Sequence, residues 1–350
     1  MSFDKFLQES AVLINKEIEF FFPRKIKSAW LYSSLGKDKY EFDEKAVQES
    51  LANPIWDFLD RGGKRWRPAL TLLACEAVGG KKKDALLVSV IPEFVHNGTI
   101  MVDDVEDNSA LRRGKPSTHL LFGIDVAVNA ANAMYYLPLI VLFNSDKIPH
   151  QKKADIYDLY SKEMLRLSVG QAMDINWHNN QRTVSEKQYL QMCSYKTGSL
   201  ARLSAQLGGI MGNGSEAQIS ALGDFGTSIG VSFQIQDDIL NIQPEKKWGK
   251  EIGDDIKEGK ITLIVIRALG KISAEKKKRL LSILGSKSKS DSDVTEAIKI
   301  LDESGAIEYT KNTAQEIVRD SWKALDKVLP KSHSKDLLKE FADYVIERKF

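Results

Sequence analysis

Apolar residues along this chain recur mostly at three- and four-residue steps and seldom alternate one by one. That period lines one face of an amphipathic helix, whereas a half-buried strand needs a period of two. Residues 86 to 105 show it, with Leu87, Ile91, Phe94, Val95, Met101 and Val102 as the recurring apolar positions. No strands alternate with helices, so the pattern predicts an all-α chain. Breaks rich in Gly, Pro, Ser or charge fall at "RGGKRWRP" (61–68), "VGGKKK" (78–83), "RRGKP" (112–116), "NSDKIPH" (144–150), "GNGS" (212–215), "QPEKKWGKEIGDD" (243–255) and "GSKSKSDSD" (285–293). Between them lie segments of roughly 15 to 30 residues, long for helices of soluble proteins. No break is long enough to act as a flexible linker. The expectation is one all-helical domain over residues 1–350.

Size and composition change this picture little. The chain has 350 residues, 43% of them hydrophobic, enough for a full core. Its 50 Lys and Arg nearly balance 48 Asp and Glu, so there is no general attraction for nucleic acid or an anionic membrane. Any phosphate recognition has to be local. Cys75 and Cys193 sit in helix-like stretches without metal-type spacing, which predicts buried free thiols and a reducing compartment. The start, "MSFDKFLQES", lacks a basic region followed by an apolar run, and no segment reaches eighteen uninterrupted apolar residues. The expectation is a soluble cytoplasmic protein without stable membrane insertion.

Charge patterning is more informative. "VDDVEDNSALRRGKPSTH" (102–119) sets three aspartates and a glutamate just before two arginines and a lysine. Such clusters are ordinarily solvated helix faces. Here, however, "DDVED" at 103–107 returns as "DDILN" at 237–241. On a helix, positions i and i+4 differ by about 40° around the axis and i+1 by about 100°. Asp103 and Asp107 therefore stack on one face, with Asp104 flanking them. Like charges one turn apart repel even in water, so a cation should compensate. Mg²⁺ suits the role, because it is typically held by a few carboxylates together with substrate phosphates. Two such sets on facing helices could hold metals around one diphosphate. The turns "GGKRWRP", "LRRGKP", "YKTG" and "GKEIGDDIKEGKITL" each put Lys or Arg beside Gly, where side chain and backbone can both approach phosphate oxygens. Two diphosphates and two or three Mg²⁺ would use this local charge of both signs.

With these motifs in order from Gly62 to Leu263, the chain resembles the trans-isoprenyl diphosphate synthases, the head-to-tail prenyltransferases. The segment "DDVEDNSALRRGKPSTH" with "GQAMD" and "NWHNN" is most similar to geranylgeranyl diphosphate synthases. The resemblance implies a bundle of long helices around a deep central cavity, usually a homodimer. It also implies that isopentenyl diphosphate and an allylic diphosphate are the substrates. Asp103, Asp104 and Asp107 would coordinate Mg²⁺ on the allylic diphosphate, and Asp237 and Asp238 would bind a further Mg²⁺. Arg112, Lys196 and Lys250 would contact the allylic diphosphate, and Lys64, Arg67, His96 and Arg113 would hold isopentenyl diphosphate. Lys260 would sit in a closing loop, and Gln171, Thr197 and Gln234 would line the cavity near the reacting carbons. Members often end the second motif with Asp, whereas this chain has Asn241, which is left out of the metal shell.

The implied reaction ionises the allylic diphosphate, and the double bond of isopentenyl diphosphate then attacks the carbocation. Pre-placed cations lower the barrier by meeting charge on the leaving group, and no Ser-His-Asp or Cys-His set is needed. Water has to be excluded, and the Gly- and Lys-rich segment 249–260 is a candidate lid. Gly98 and Thr99 lie one turn before the first aspartate, about 6 to 7.5 Å deeper along the helix. In short-chain members an aromatic there closes the channel; small residues predict a product of at least twenty carbons, with Tyr135 and Tyr136 as candidates for the floor. A farnesyl or longer-chain product is the alternative. The rivals are a terpene cyclase, against which "GGKRWR" argues, and a non-catalytic synthase subunit, against which the retained aspartates argue.

Overall fold

The computed structural model describes every residue except 1, 38, 181–182, 244–251, 287 and 348–350, and of residues 178 and 347 only the backbone. The chain is 79% helical. Most predicted breaks fall where helices end, including 61–65, 78–81, 144–149 and 212–215. "RRGKP" differs: it forms a two-stranded antiparallel hairpin, Leu111–Arg112 against Lys115–Pro116, and these are the only strands among the described residues. Arg113 and Gly114 both have positive φ (53° and 74°), the type I′ geometry that matches the twist of a two-residue hairpin.

The contacts group the chain into two compact units. The first comprises Met1–Asp158 with Gln206–Ser215. Its centre is the helix Trp66–Ala77, of which every residue but Glu76 is buried, beside the long helix Lys82–Glu106. The first sixty residues, for which the sequence suggested no role, brace that long helix. Phe21 and Phe22 meet Phe94 edge-on at 5.2 and 6.0 Å, Phe22 stacks on Trp56 at 6.2 Å, and the Arg24 guanidinium lies 4.0 Å from the Trp56 ring centre. Such aromatic pairs add about 0.5–1.5 kcal/mol each beyond their buried area. By length and composition the helices Lys82–Glu106 and Ile124–Phe143 could each cross a membrane. Lys82–Glu106 nonetheless buries Glu93 and Asp104 in ion pairs with arginines, the behaviour of a core helix.

The second unit comprises Leu159–Ala205 with Glu216–Phe350. Its core joins one face of Glu216–Ile242 to the helices Leu263–Leu269, Ala274–Gly285, Asp291–Glu303 and Ala306–Val328. Ser185, Ser273 and Ser290 each cap a helix N-terminus by accepting a backbone N–H three residues on, each cap contributing about 1 kcal/mol. Gly230 lets Glu216–Ile242 approach the start of Gly198–Met211; a Cβ at 230 would stand 2.6 Å from the Gly198 Cα. That approach sets Thr197 beside the second aspartate helix. Cys75 and Cys193 are buried free thiols, as expected.

Candidate active site

In the first unit the long helix ends at Glu106, and Asp107 is its C-cap. Asp103 and Asp107 are half-buried, and Asp104 is fully buried. The hairpin turns the chain back so that Arg112 donates from Nε to Asp104 Oδ1 at 2.7 Å, with Nη2 at 2.5 Å from the same oxygen. Burial raises the Asp104 pKa, and Arg112 counters it. The other oxygen, Asp104 Oδ2, is buried without a hydrogen-bond partner. A buried, unsatisfied carboxylate oxygen beside two half-buried aspartates fits a divalent cation. No group of three or more His, Cys, Asp or Glu among the described residues is gathered tightly enough to cage a metal alone. Mg²⁺ does not require one, since it takes part of its shell from water and phosphate.

Two turns earlier, the same helix presents His96 to a cluster of arginines. Loss of water around the ring pulls the His96 pKa well below its ordinary value, and Arg67, Arg113, Arg65 and Arg112 pull it further. A neutral imidazole donates one N–H and adds no charge. Burial also lowers the Arg113 pKa; Glu93 opposes this, and Arg65, Arg112 and Arg61 add to the fall. So dense a set of cations is suited to accept an anion. Arg67 is 5% exposed and lies 4.2 Å from the Trp66 ring centre, while Lys64 is exposed in the preceding loop.

In the second unit, Thr197 Oγ1 donates to Gln234 Oε1 at 2.9 Å, Gln234 Nε2 donates to Asp238 Oδ1 at 3.0 Å, and Tyr189 Oη donates to Asp238 Oδ2 at 2.5 Å. Asp238 is 4% exposed. Burial and then the nearby Asp255 push its carboxyl up to about 8. Asp237 and Gln171 are half-buried. Lys196 Nζ donates to Asp174 Oδ2 at 2.6 Å. Asn241 does something a metal ligand would not: its Oδ1 accepts from the Asp255 N–H at 3.2 Å and its carbonyl from Gly253 N–H at 2.9 Å, so it anchors the Lys260 segment. Lys260 pairs with Asp255 and Glu258. Ile256 of the same segment is 2% exposed in the core. Lys250, and with it the start of the candidate lid, lies outside the described residues.

Gly98 does not face an open channel. A Cβ there would lie 2.8 Å from the Ala131 carbonyl oxygen, 3.0 Å from Met134 Cβ and 3.1 Å from Tyr135 Cε1, so Gly98 serves close packing against the helix Ile124–Tyr136. Thr99 is half-buried, with Oγ1 donating to the His96 carbonyl at 2.8 Å. Tyr135 is half-buried, and its pKa is raised by burial and then by Glu106 and Asp103. Tyr136 is 69% exposed, which removes it as a floor of this chain's interior. Sequence reasoning missed Glu93, Asn97, Asp174 and Tyr189. Only Asp174 carried a signal: it lies three residues after Gln171, on the same helix face.

Carboxylates at a helix end, one of them fully buried, and arginines gathered around His96 of the same helix form a site with separate places for a cation and an anion on an all-helical frame. The chain belongs to the polyprenyl synthetase family, whose model matches residues 48–301. It is 36% identical over 321 residues to a short chain isoprenyl diphosphate synthase of Methanothermobacter thermautotrophicus, covering 91% of this chain and 96% of the relative. It is also 36% identical over 300 residues to a geranylgeranyl pyrophosphate synthase of Geoglobus acetivorans, covering 86% and 91%. The crystal structure of a geranylgeranyl pyrophosphate synthetase from Pyrococcus horikoshii superposes with a TM-score of 0.86 at 33% identity, covering 99% and 98% of the two chains. The chain is thus a trans-isoprenyl diphosphate synthase, a prenyltransferase of isoprenoid biosynthesis.

Proposed function

We propose that the chain condenses isopentenyl diphosphate with an allylic diphosphate to give the twenty-carbon geranylgeranyl diphosphate. The observation that carries this reading is the helix Lys82–Glu106, which holds a cation-accepting end at Asp103 and Asp104 and an anion-accepting face at His96. Arg67, Arg113, His96 and Lys64 bind the diphosphate of isopentenyl diphosphate and orient its double bond. Asp103, Asp104 and Asp107 would hold Mg²⁺ in the first unit and Asp237 and Asp238 a further Mg²⁺ in the second, two or three ions in all, and bound Mg²⁺ would supply positive charge for a pyrophosphate leaving group. Arg112, Lys196 and Lys260 add fixed positive charge for the same leaving group. Thr197, Gln171 and Gln234 line the path of the reacting carbons. Water has to be kept from the carbocation during the reaction, and the proton lost after coupling passes to the released pyrophosphate.

Thr99, rather than Gly98, is proposed to let the growing tail pass, with Tyr135 beyond it. Leu120, Leu121, Ile124, Tyr136 and Phe143 of the first unit have exposed apolar side chains, and a homodimer would cover them. The two buried free thiols support a reducing, cytoplasmic setting. The test incubates the purified chain with labelled isopentenyl diphosphate, each allylic primer and Mg²⁺, and sizes the products. A twenty-carbon diphosphate is expected, shortened by Thr99→Phe. A hydrocarbon formed from the allylic substrate alone would reassign the chain to cyclisation, and turnover only with a second chain would make it a subunit.

A further inference from the structure

The arginine pocket raises a physical problem. Arg65 and Arg112 lie close enough to Arg113 to disfavour its charged form, and such a cluster holds its shape only if something fixes each guanidinium. We infer that Glu93 and Asn97 are positioning residues that set the isopentenyl diphosphate pocket by locking Arg65 and Arg113 into one buried network. This rests on the proposed reading of that pocket.

Glu93 is 3% exposed and Asn97 fully buried, one helical turn apart. Glu93 Oε1 accepts from Arg65 Nη1 at 2.6 Å and from Asn97 Nδ2 at 2.9 Å. Asn97 Nδ2 also donates to the Glu93 carbonyl at 2.7 Å, which fixes the amide so that its Oδ1 points to Arg113 Nη1 at 3.2 Å. Arg113 Nη1 donates in addition to the Gly62 carbonyl. The relay Arg65–Glu93–Asn97–Arg113 therefore closes on the loop that carries Gly62, Gly63 and Lys64.

Within the relay the two arginines have different tasks. Arg65 is consumed by protein: Nε donates to Asn15 Oδ1 at 3.0 Å, Nη1 to Glu93 and Nη2 to the Leu59 carbonyl at 2.9 Å. Its backbone is left-handed, φ 53°, immediately before the helix Trp66–Ala77. Holding a non-glycine residue there is unfavourable, and three hydrogen bonds from one buried guanidinium supply the restraint. Arg65 thus fixes where the helix carrying Arg67 begins. Arg113 is held through Nη1 in both of these bonds, and that tether sets the plane it would offer to a substrate anion. A shift of about 1 Å in such a clamp lowers the rate a hundredfold in other enzymes.

The test compares steady-state constants for Asn97→Leu and Glu93→Gln with those of the unaltered chain, each checked by circular dichroism and thermal melting. Asn97→Leu keeps the size and removes the tether to Arg113. The KM for isopentenyl diphosphate is expected to rise about tenfold, equivalent to about 1.4 kcal/mol, while the KM for the allylic diphosphate and the Mg²⁺ dependence stay within twofold. Glu93→Gln retains an Oε1 acceptor for Arg65 and Asn97 and is expected to raise the same KM by a smaller factor than Asn97→Leu does; an equal or larger rise with the allylic KM changed alike would count against the relay. Equal changes in both KM values, or no change in a folded Asn97→Leu protein, would overturn the inference. If the unaltered chain does not saturate with isopentenyl diphosphate, the reading of the pocket itself fails, a result distinct from either.

Discussion

The two aspartate motifs look alike in sequence, yet the structure solves their electrostatics in opposite ways. Asp104, in the first unit, is buried against Arg112, a full countercharge 2.5 Å away. Asp238, in the second, is buried against an uncharged phenol and an uncharged amide, Tyr189 and Gln234, with Asp255 nearby. Removing a carboxylate from water costs several kcal/mol unless it is paired. The first set meets part of that cost with Arg112, although burial still raises the Asp104 pKa and Oδ2 has no hydrogen-bond partner. The second has neutral hydrogen-bond partners, and its carboxyl is pushed up to about 8. Both motifs thus keep a demand for positive charge, the first beside a fixed countercharge and the second among neutral donors.

The largest effect should come from the half-buried aspartates proposed to face the cation. Asp103→Ala and Asp237→Ala are each expected to lower kcat by roughly a hundredfold or more, the scale of losing a group that stabilises developing charge, with helicity unchanged by circular dichroism. Near-normal turnover in either would remove that motif from the chemistry. The comparison itself is sharpened by an isosteric pair of changes. Asp104→Asn takes the countercharge from Arg112 and should cost about 1–3 kcal/mol in denaturant unfolding. Asp238→Asn keeps partners that are already neutral and should cost less than about 1 kcal/mol. Equal costs would contradict the contrast drawn between the two units.

A smaller effect is expected from pH. His96 has a folded pKa well below its ordinary value, so above pH about 6.5 both folded and unfolded forms are neutral and its contribution is complete. As pH falls below that value only the unfolded chain takes up the proton, and stability should drop with a limiting slope of about 1.4 kcal/mol per pH unit. His96→Gln should flatten this part of the pH–stability curve; an unchanged slope would place the titrating group elsewhere.

Much of this was legible in the sequence because it is written locally. The period of apolar residues marked the helices, and the repeat of "DDVED" as "DDILN" marked both carboxylate sets. What was not legible depends on long-range contact. Glu93 reads as one acid on an apolar helix until Arg65, 28 residues earlier, folds onto it. Tyr189 reads as core until its hydroxyl meets Asp238, 49 residues away. Gly98 looked like an open channel position because smallness has two causes, room for a ligand and room for a neighbouring helix; only the Ala131 carbonyl decides between them. Asn241 looked like a weakened ligand and proved to be an anchor for the segment bearing Lys260.

Central to the proposed function is that bound divalent ions would supply the charge for pyrophosphate to leave an allylic carbon, with isopentenyl diphosphate held by the arginines around His96. Its most direct test follows pyrophosphate release and carbon–carbon bond formation together, with Mg²⁺ and isopentenyl diphosphate each present or withheld. Release in one-to-one ratio with new bonds, and only when both are supplied, is the predicted result. Release that persists without isopentenyl diphosphate, or without any divalent ion, would contradict it.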